Sequence, residues 1–493
     1  MSIPIQELFS LNAEKLLLNR NIKYFREDGK DYAYLNRFVP VISFMELSDG
    51  MRRFLNDFDG EQTTNEIVVR HKLDSGIFDL LSFLRRNRIL HQPELVQKYP
   101  EINTLNITFY PTNSCNLRCI YCYASAGEST PKQLDFAHAK IWIDHLLGNL
   151  SPEIMSVEVL FHGGGEPTVS FPLLKKIWNE VKKQCAEKGL HCSLRSITNG
   201  NFNRDVLEWF AEEKAGLAFS IDGTKEFNDR MRPSLDGKSS FDRAFSNIGE
   251  LTSRGLKCAV RATVGSYNRD NLIAFVDTCR EAGITSINLD KLYPFGRSDT
   301  IDTETLTDDE YKETFIRVWD YSLRKGIPIL GFSTMSLRLG RPFFCNNYEE
   351  NSFAVTPEGY LSPCPEVSML DDPAADTFFG GRINSEGKVE FFRERIKDLR
   401  ERTTENLKIC GECFLEYVCR GGCVVKSYRK NGELMSVEPE RCDYIRGVSA
   451  TLWKKLLAEP ALVPERLKPE HYHYSPENHP ELFADCLAYR PAR

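Results

Sequence analysis

Residues 115–124 read CNLRCIYCYA, in which Cys115, Cys119 and Cys122 form a C-x3-C-x2-C triplet directly after a strand-like run at 105–110. Three thiolates at this spacing can hold three irons of a cubane [4Fe–4S] cluster and leave the fourth iron without a protein ligand. An iron with an open position can bind a small molecule and pass it an electron, which points to redox chemistry rather than a structural clip. Three thiols around zinc, or core cysteines unconnected with metal, are the competing readings of the triplet alone.

Outward from the triplet, strand and helix patterns alternate between about 103 and 335. Strands are expected at 105–110, 157–162, 192–198, 216–221, 258–264 and 286–292, with helices at 136–150, 172–185, 204–214, 241–252, 271–282 and 309–325. Six βα units predict an α/β fold with a parallel sheet and helical crossovers. Six rather than eight predict an open, partial (β/α)6 barrel, whose chemistry belongs at the carboxyl ends of the strands. The motifs fall there. FHGGGEP (161–167) follows the second strand, Thr198-Asn199-Gly200 ends the third, and Ser220-Ile221-Asp222-Gly223 ends the fourth. Glycines let backbone come close to a ligand, and Glu166 can accept from an ammonium group.

The chain has 493 residues, 41% hydrophobic and 27% charged, which predicts two to four domains. Its formal net charge of −7 argues against nucleic-acid binding as its main task. Apolar runs are short and broken by charges, so no membrane span is expected. The start, MSIPIQELFSLNAEK, carries no secretory signal, so a cytoplasmic location and reduced thiols are expected for the 15 cysteines. Besides the triplet, Cys345, Cys364, Cys410, Cys413, Cys419, Cys423 and Cys442 crowd one segment, and grouped thiols in a reducing compartment mean metal. Cys185, Cys192, Cys258 and Cys279 fall on βα elements and are expected in the core. Residues 1–95 read as a small α/β module: a hairpin at 22–25 and 31–35, then helices at 45–58, 64–71 and 77–87. The middle helix opens with a capping box at Thr63-Thr64-Asn65-Glu66. The division expected is 1–95, 103–335, 336–450, and a C-terminal helix and tail at 451–493.

The triplet, followed after the second strand by Gly164-Gly165-Glu166, resembles the radical S-adenosylmethionine (radical SAM) superfamily. The resemblance implies that SAM chelates the open iron. Gly164, Gly165 and Glu166 would hold its amino group, Ser220 and Arg232 (in Asp229-Arg230-Met231-Arg232-Pro233) its ribose or carboxylate, and Tyr121 its adenine. The seven later cysteines, with Gly359-x4-Cys364, resemble the SPASM domain, which implies two auxiliary [4Fe–4S] clusters and three clusters in all. In that pattern Cys410, Cys413, Cys419 and Cys442 complete the far cluster. Cys345, Cys364 and Cys423 give the nearer one only three ligands, leaving an open iron, a non-cysteine ligand, or a borrowed residue such as Cys486.

Residues 1–95, with DFDGEQTTNEIVVRH (57–71), resemble the winged-helix-like peptide-recognition domains of peptide maturases, which bind a precursor's leader segment as an added strand. Together the resemblances imply a maturase that cleaves SAM to a 5′-deoxyadenosyl radical, abstracts hydrogen from a ribosomal precursor peptide and installs a crosslink. A cysteine thioether is the leading product, a carbon–carbon or carbon–oxygen bond the alternative, with flavodoxin or ferredoxin as electron donor. A sulfatase-maturase-like, formylglycine-forming reading meets Pro365 where those enzymes place a catalytic Asp. An iron–sulfur electron carrier would leave Gly164–Glu166, Ser220 and Arg232 unexplained.

Overall fold

In the computed structural model, parallel strands at Thr104–Phe109, Ser156–Phe161, His191–Thr198, Gly216–Ser220, Cys258–Val264 and Ser286–Lys291 stand side by side in chain order. The residues described are 14–18, 22–35, 43–73, 77–86, 89–91, 103–294, 296–297, 305–332, 335–336, 344, 351–411 and 413–459. All six expected strands are present, and the sheet is wider than expected, with nine strands among the described residues. Ile329–Phe332 continues it in parallel, Met335–Ser336 turns back antiparallel at that edge, and Ser352–Val355 pairs in parallel with Thr104–Phe109 at the other. The two edge strands do not pair with each other, so the sheet is open.

The strands alternate in burial, and the alternation positions the site. Val157, Val159, Phe161, Leu217, Phe219, Val260 and Ala262 face the helices in one large core. Glu158, Arg195, Ser220, Arg261 and Asp290 point to the other face and keep some exposure. That face is polar: Arg195 pairs with Glu158 at 3.1 Å and Arg261 with Asp290 at 2.6 Å. A sheet wrapped by helices on one side and wet on the other has a built-in cleft.

Helices start where side chains cap them. Asp135 accepts from Ala137 N, Asn203 from Val206 N, and Thr307 forms a capping box with Glu310. A helix at Lys225–Met231 was not expected; it leads straight into Arg232. The C-terminal helix runs over Pro439–Ala458, starting twelve residues before the boundary expected at 451, with proline in its first turn. It packs on Asp308–Arg324 through Tyr311 and Tyr444.

In the N-terminal part, Ile22–Glu27 and Lys30–Leu35 form the expected hairpin, turned by Asp28 and Gly29 at positive φ. The expected helix at 45–58 is corrected. Ser43–Leu47 is a third strand on the hairpin, and the helix spans Asp49–Asn56, because Ser48 accepts from Met51 N at 3.0 Å and fixes the start. The capping box at Thr63 and the helix Ile77–Arg86 are as expected. Met51, Phe54, Phe58, Ile67, Leu80 and Leu84 make a separate core. The hairpin rests on the cysteine-rich segment, where Phe25 stacks on Phe414 at 5.3 Å and Lys23 pairs with the buried Glu416 at 2.5 Å. No helix among the described residues is long and apolar enough to cross a membrane.

Removing one partner of such a buried pair costs about 3–5 kcal/mol, whereas replacing both by apolar groups costs far less. Lys23→Met should therefore destabilise the protein by about 3 kcal/mol, and Lys23→Met with Glu416→Leu should recover most of it, as read by denaturant titration.

Candidate active site

The cysteine loop leaves the first strand of the sheet at its carboxyl end and is tied from every side. Arg118 Nη1 donates to Cys115 O and Leu117 O, both at 2.9 Å. Arg297, more than 170 residues away, donates to Cys119 O at 2.6 Å, and its own amide donates to Cys122 O at 3.1 Å. Gly296 must be glycine: its φ is +60°, and a Cβ there would meet Tyr123 O at 2.4 Å. Asn116 and Asn199 share a hydrogen bond of 2.8 Å that ties the loop to the end of the third strand.

The glycine turn docks on this loop. A Cβ on Gly165 would meet Ser114 O at 2.3 Å and Thr112 O at 2.6 Å, and Glu166 N donates to Ser114 O at 2.9 Å. Gly164 faces Ala124 and Ser368. The Glu166 carboxylate is buried and accepts from Thr168 Oγ1 at 2.7 Å, Thr198 Oγ1 at 2.8 Å and Asn199 N at 2.7 Å. Burial raises its pKa and these donors hold it back.

Burial pushes the Cys115 thiol up to about 12, with the Cys119 and Glu166 charges adding to it, and Cys119 to about 11 against the pull of Arg232. Such thiols lose their protons on binding a metal rather than in the empty site. Donors wait beside them: Leu117 N lies 3.4 Å and Asn199 Nδ2 3.8 Å from Cys115 Sγ, and Arg232 Nη1 lies 3.8 Å from Cys119 Sγ. The donor set fits a thiolate-bound iron cluster.

Tyr121 and Arg232 are brought together, but through a residue that the sequence reading did not single out. Arg232 grips Asp222 with two bonds, 2.9 Å from Nε and 3.2 Å from Nη2, and Tyr121 donates its hydroxyl to the same carboxylate. Thr263 N donates to Asp222 at 2.9 Å. The Tyr121 ring lies in an apolar cluster with Met231, Tyr267 and Leu292. Ser220, on the open face at the end of its strand, makes no hydrogen bond through its hydroxyl among the described residues.

Six of the seven later cysteines are described; Cys345 and Cys486 lie outside the described residues. Cys410, Cys413, Cys419 and Cys442 are close neighbours, and after burial it is their mutual charge that raises Cys410 to about 12. Cys364 and Cys423 pack against one apolar cluster, Cys423 also lines a small cavity with Cys419 and Cys442, and the Glu366 charge reaches Cys423. Tyr123, next to Cys122, lies between the two fields, near Cys122 and Cys364, and donates to Gly163 O at 3.0 Å. Buried Arg441 stands near both Cys419 and Cys423. No three His, Cys, Asp or Glu side chains among the described residues converge on a point that would grip a single metal ion.

Residues 109–290 match the Radical SAM superfamily. The matched stretch takes in the cysteine triplet, the glycine turn, Ser220 and Arg232. A radical SAM domain works with SAM and a [4Fe–4S] cluster, which the triplet and its donors suit. Mycofactocin maturase MftC of Mycolicibacterium smegmatis is 28% identical over 377 residues, covering 74% of this chain and 86% of that protein. An AdoMet-dependent heme synthase of Oleidesulfovibrio alaskensis is 26% identical over 367 residues, covering 69% and 87%. Among solved structures, anSMEcpe with bound AdoMet shares the fold at a TM-score of 0.58 and 16% identity, covering 72% of this chain and 98% of that one.

Gly165→Ala should force the glycine turn off the cysteine loop. The expected result is a loss of about four irons per chain after anaerobic reconstitution, with far-UV circular dichroism unchanged. A second expectation concerns acid. Burial, with the Arg261 charge, holds His162 at about 3 against its ordinary 6.5. Below pH 6.5 the unfolded chain takes a proton there that the folded chain refuses, so stability falls as pH drops toward 3, by at most about 1.4 kcal/mol per pH unit. His162→Gln should flatten that limb of a plot of Tm against pH; an unaltered slope would rule out this source.

Proposed function

We propose that this chain is a radical SAM peptide maturase that crosslinks a ribosomally made precursor peptide, joining a cysteine sulfur to a carbon of the same peptide. The observation that carries the peptide reading is the edge strand Ser43–Leu47, whose outer backbone groups have no strand partner among the described residues. An extended leader can pair there by strand addition. The sheet bearing that edge is docked by Lys23 and Phe25 onto the cysteine-rich segment, so a bound peptide is held beside the chemistry. The likeness to the mycofactocin maturase agrees with this reading.

The residues divide the work. With SAM and the cluster bound, reductive cleavage of SAM supplies a 5′-deoxyadenosyl radical that takes a hydrogen atom from substrate carbon. Cys115, Cys119 and Cys122 hold the cluster, and the donors Asn199, Arg232 and Leu117 N offset thiolate charge, which favours its reduced state. Glu166 would accept from the amino group of SAM, and the Ser220 hydroxyl would meet a polar group of the same ligand. Asp222 holds Arg232 against Cys119, and Tyr121 anchors Asp222 from below. The wet face with Glu158, Arg195, Arg261 and Asp290 admits the peptide.

In the cysteine-rich segment, Cys410, Cys413, Cys419 and Cys442 hold one auxiliary [4Fe–4S] cluster, and Cys364 and Cys423, with Cys345, hold a second. Neighbouring thiols suit a cubane, which offers each thiolate its own iron. Such clusters would supply an acceptor for the surplus electron of crosslinking, and Tyr123 and Arg441 are the side chains next to the cysteines that would hold them. Residue 365 is proline, which leaves no carboxylate next to Cys364 for the formylglycine reaction.

Anaerobic incubation with dithionite and SAM should yield 5′-deoxyadenosine, and Cys115→Ala should yield none. The peptide encoded beside the gene should lose two hydrogens per crosslink by mass and one thiol open to iodoacetamide. Loss of hydrogens with every thiol retained would mean a carbon–carbon or carbon–oxygen bond instead. Removal of residues 1–95 should abolish peptide binding; turnover of a tetrapyrrole and indifference to peptide would overturn the reading.

A further inference from the structure

Cys364, Pro365, Glu366 and Val367 form a tight turn in which Val367 N donates to Cys364 O at 3.1 Å, with proline at the second position. Its backbone is fixed from several directions. Ser362 Oγ donates to Val367 O at 2.6 Å and accepts from Cys364 N at 3.3 Å. Arg429 Nη2 donates to Glu366 O at 2.7 Å while also holding Asp372 at 2.8 Å. Nothing comparable holds the Glu366 side chain. Its Oε2 is buried and has no hydrogen-bond partner among the described residues. A carboxylate oxygen in that position is costly unless a cation meets it. Arg261, which feels the Glu366 charge, is bound to Asp290 at 2.6 Å. Cys364 stands two residues away in the same turn, and Cys423 packs with Cys364 against one apolar cluster.

An unpartnered carboxylate beside two cysteines suggests what the cation is. We propose that Glu366 is a non-cysteine ligand of the auxiliary [4Fe–4S] cluster held by Cys364 and Cys423. The assignment rests on the auxiliary-cluster reading above. Iron bound through a hard carboxylate oxygen exchanges that ligand more readily than it exchanges a thiolate. A substrate cysteine thiolate can therefore replace Glu366 at this iron without breaking an iron–cysteine bond, the displaced carboxylate leaving as an anion.

The test uses the full chain with Cys115, Cys119 and Cys122 all changed to Ala, so that only auxiliary clusters contribute. Iron content, EPR spectra and midpoint potentials are compared for this parent and for Glu366→Cys, Glu366→Ala and Cys364→Ala made in it. Glu366→Cys should keep every iron while shifting the potential and g values of one cluster and leaving the other in place. Glu366→Ala should give the EPR signal of a three-iron cluster on mild oxidation, which the parent does not. Parent-like spectra and potentials in both Glu366 variants would overturn the ligand assignment. If Cys364→Ala then loses one cluster, the auxiliary-cluster reading survives that failure; if it loses none, that reading falls too. Loss of both clusters in every Glu366 variant would also overturn the assignment, which reaches one cluster only.

Discussion

The docking of Gly165 against the carbonyls of Thr112 and Ser114 is the contact on which the site depends. It joins the carboxyl end of the second strand to the loop after the first, and Glu166 N donating to Ser114 O completes the joint. Because the contact is backbone on backbone, only glycine permits it, and no side-chain movement could relieve a larger residue. Glu166 is thereby delivered next to Cys115, where Thr168, Thr198 and Asn199 stabilise its buried carboxylate. Placing an acid and a thiol cluster this close in a dry pocket is unfavourable by itself. The surrounding donors are what make it tolerable.

Arginines give the site its second constraint. Arg118 from within the cysteine loop, and Arg232 and Arg297 from distant parts of the chain, all bind it, and Arg118 and Arg297 do so through backbone carbonyls. A planar guanidinium with several donors can satisfy a sharply folded loop that has no secondary structure of its own. Arg232 also carries charge to Cys119, and its two-pronged grip on Asp222 keeps the side chain from turning toward solvent.

Much of this was legible in the chain. The six central strands announced themselves by alternation, and the triplet, the glycine turn and Ser220 fell at strand ends because parallel α/β sheets place chemistry there. Other features were not legible, for physical reasons. Arg297 and Gly296 act through contacts spanning some 170 residues, and no local pattern marks them. Asp222 was visible only as the residue after Ser220 and Ile221; its role follows from the need of buried Arg232 for a counter-charge. Ser352–Val355 is too short to stand out amid cysteines and prolines, and Ser43–Leu47 was absorbed into a helix because its apolar residues suit either period.

Ser352–Val355 has a consequence for the life of the protein outside the cell. It shields the outer edge of Thr104–Phe109, the strand that feeds the first cysteine loop, and it is drawn from the segment richest in cysteine. A sheet edge left open is a template for pairing with another chain. Whatever loosens that segment, such as oxygen attacking its thiols, uncovers the edge and turns loss of cofactor into self-association. Handling in air should thus damage this protein in two coupled ways, as chemistry and as solubility.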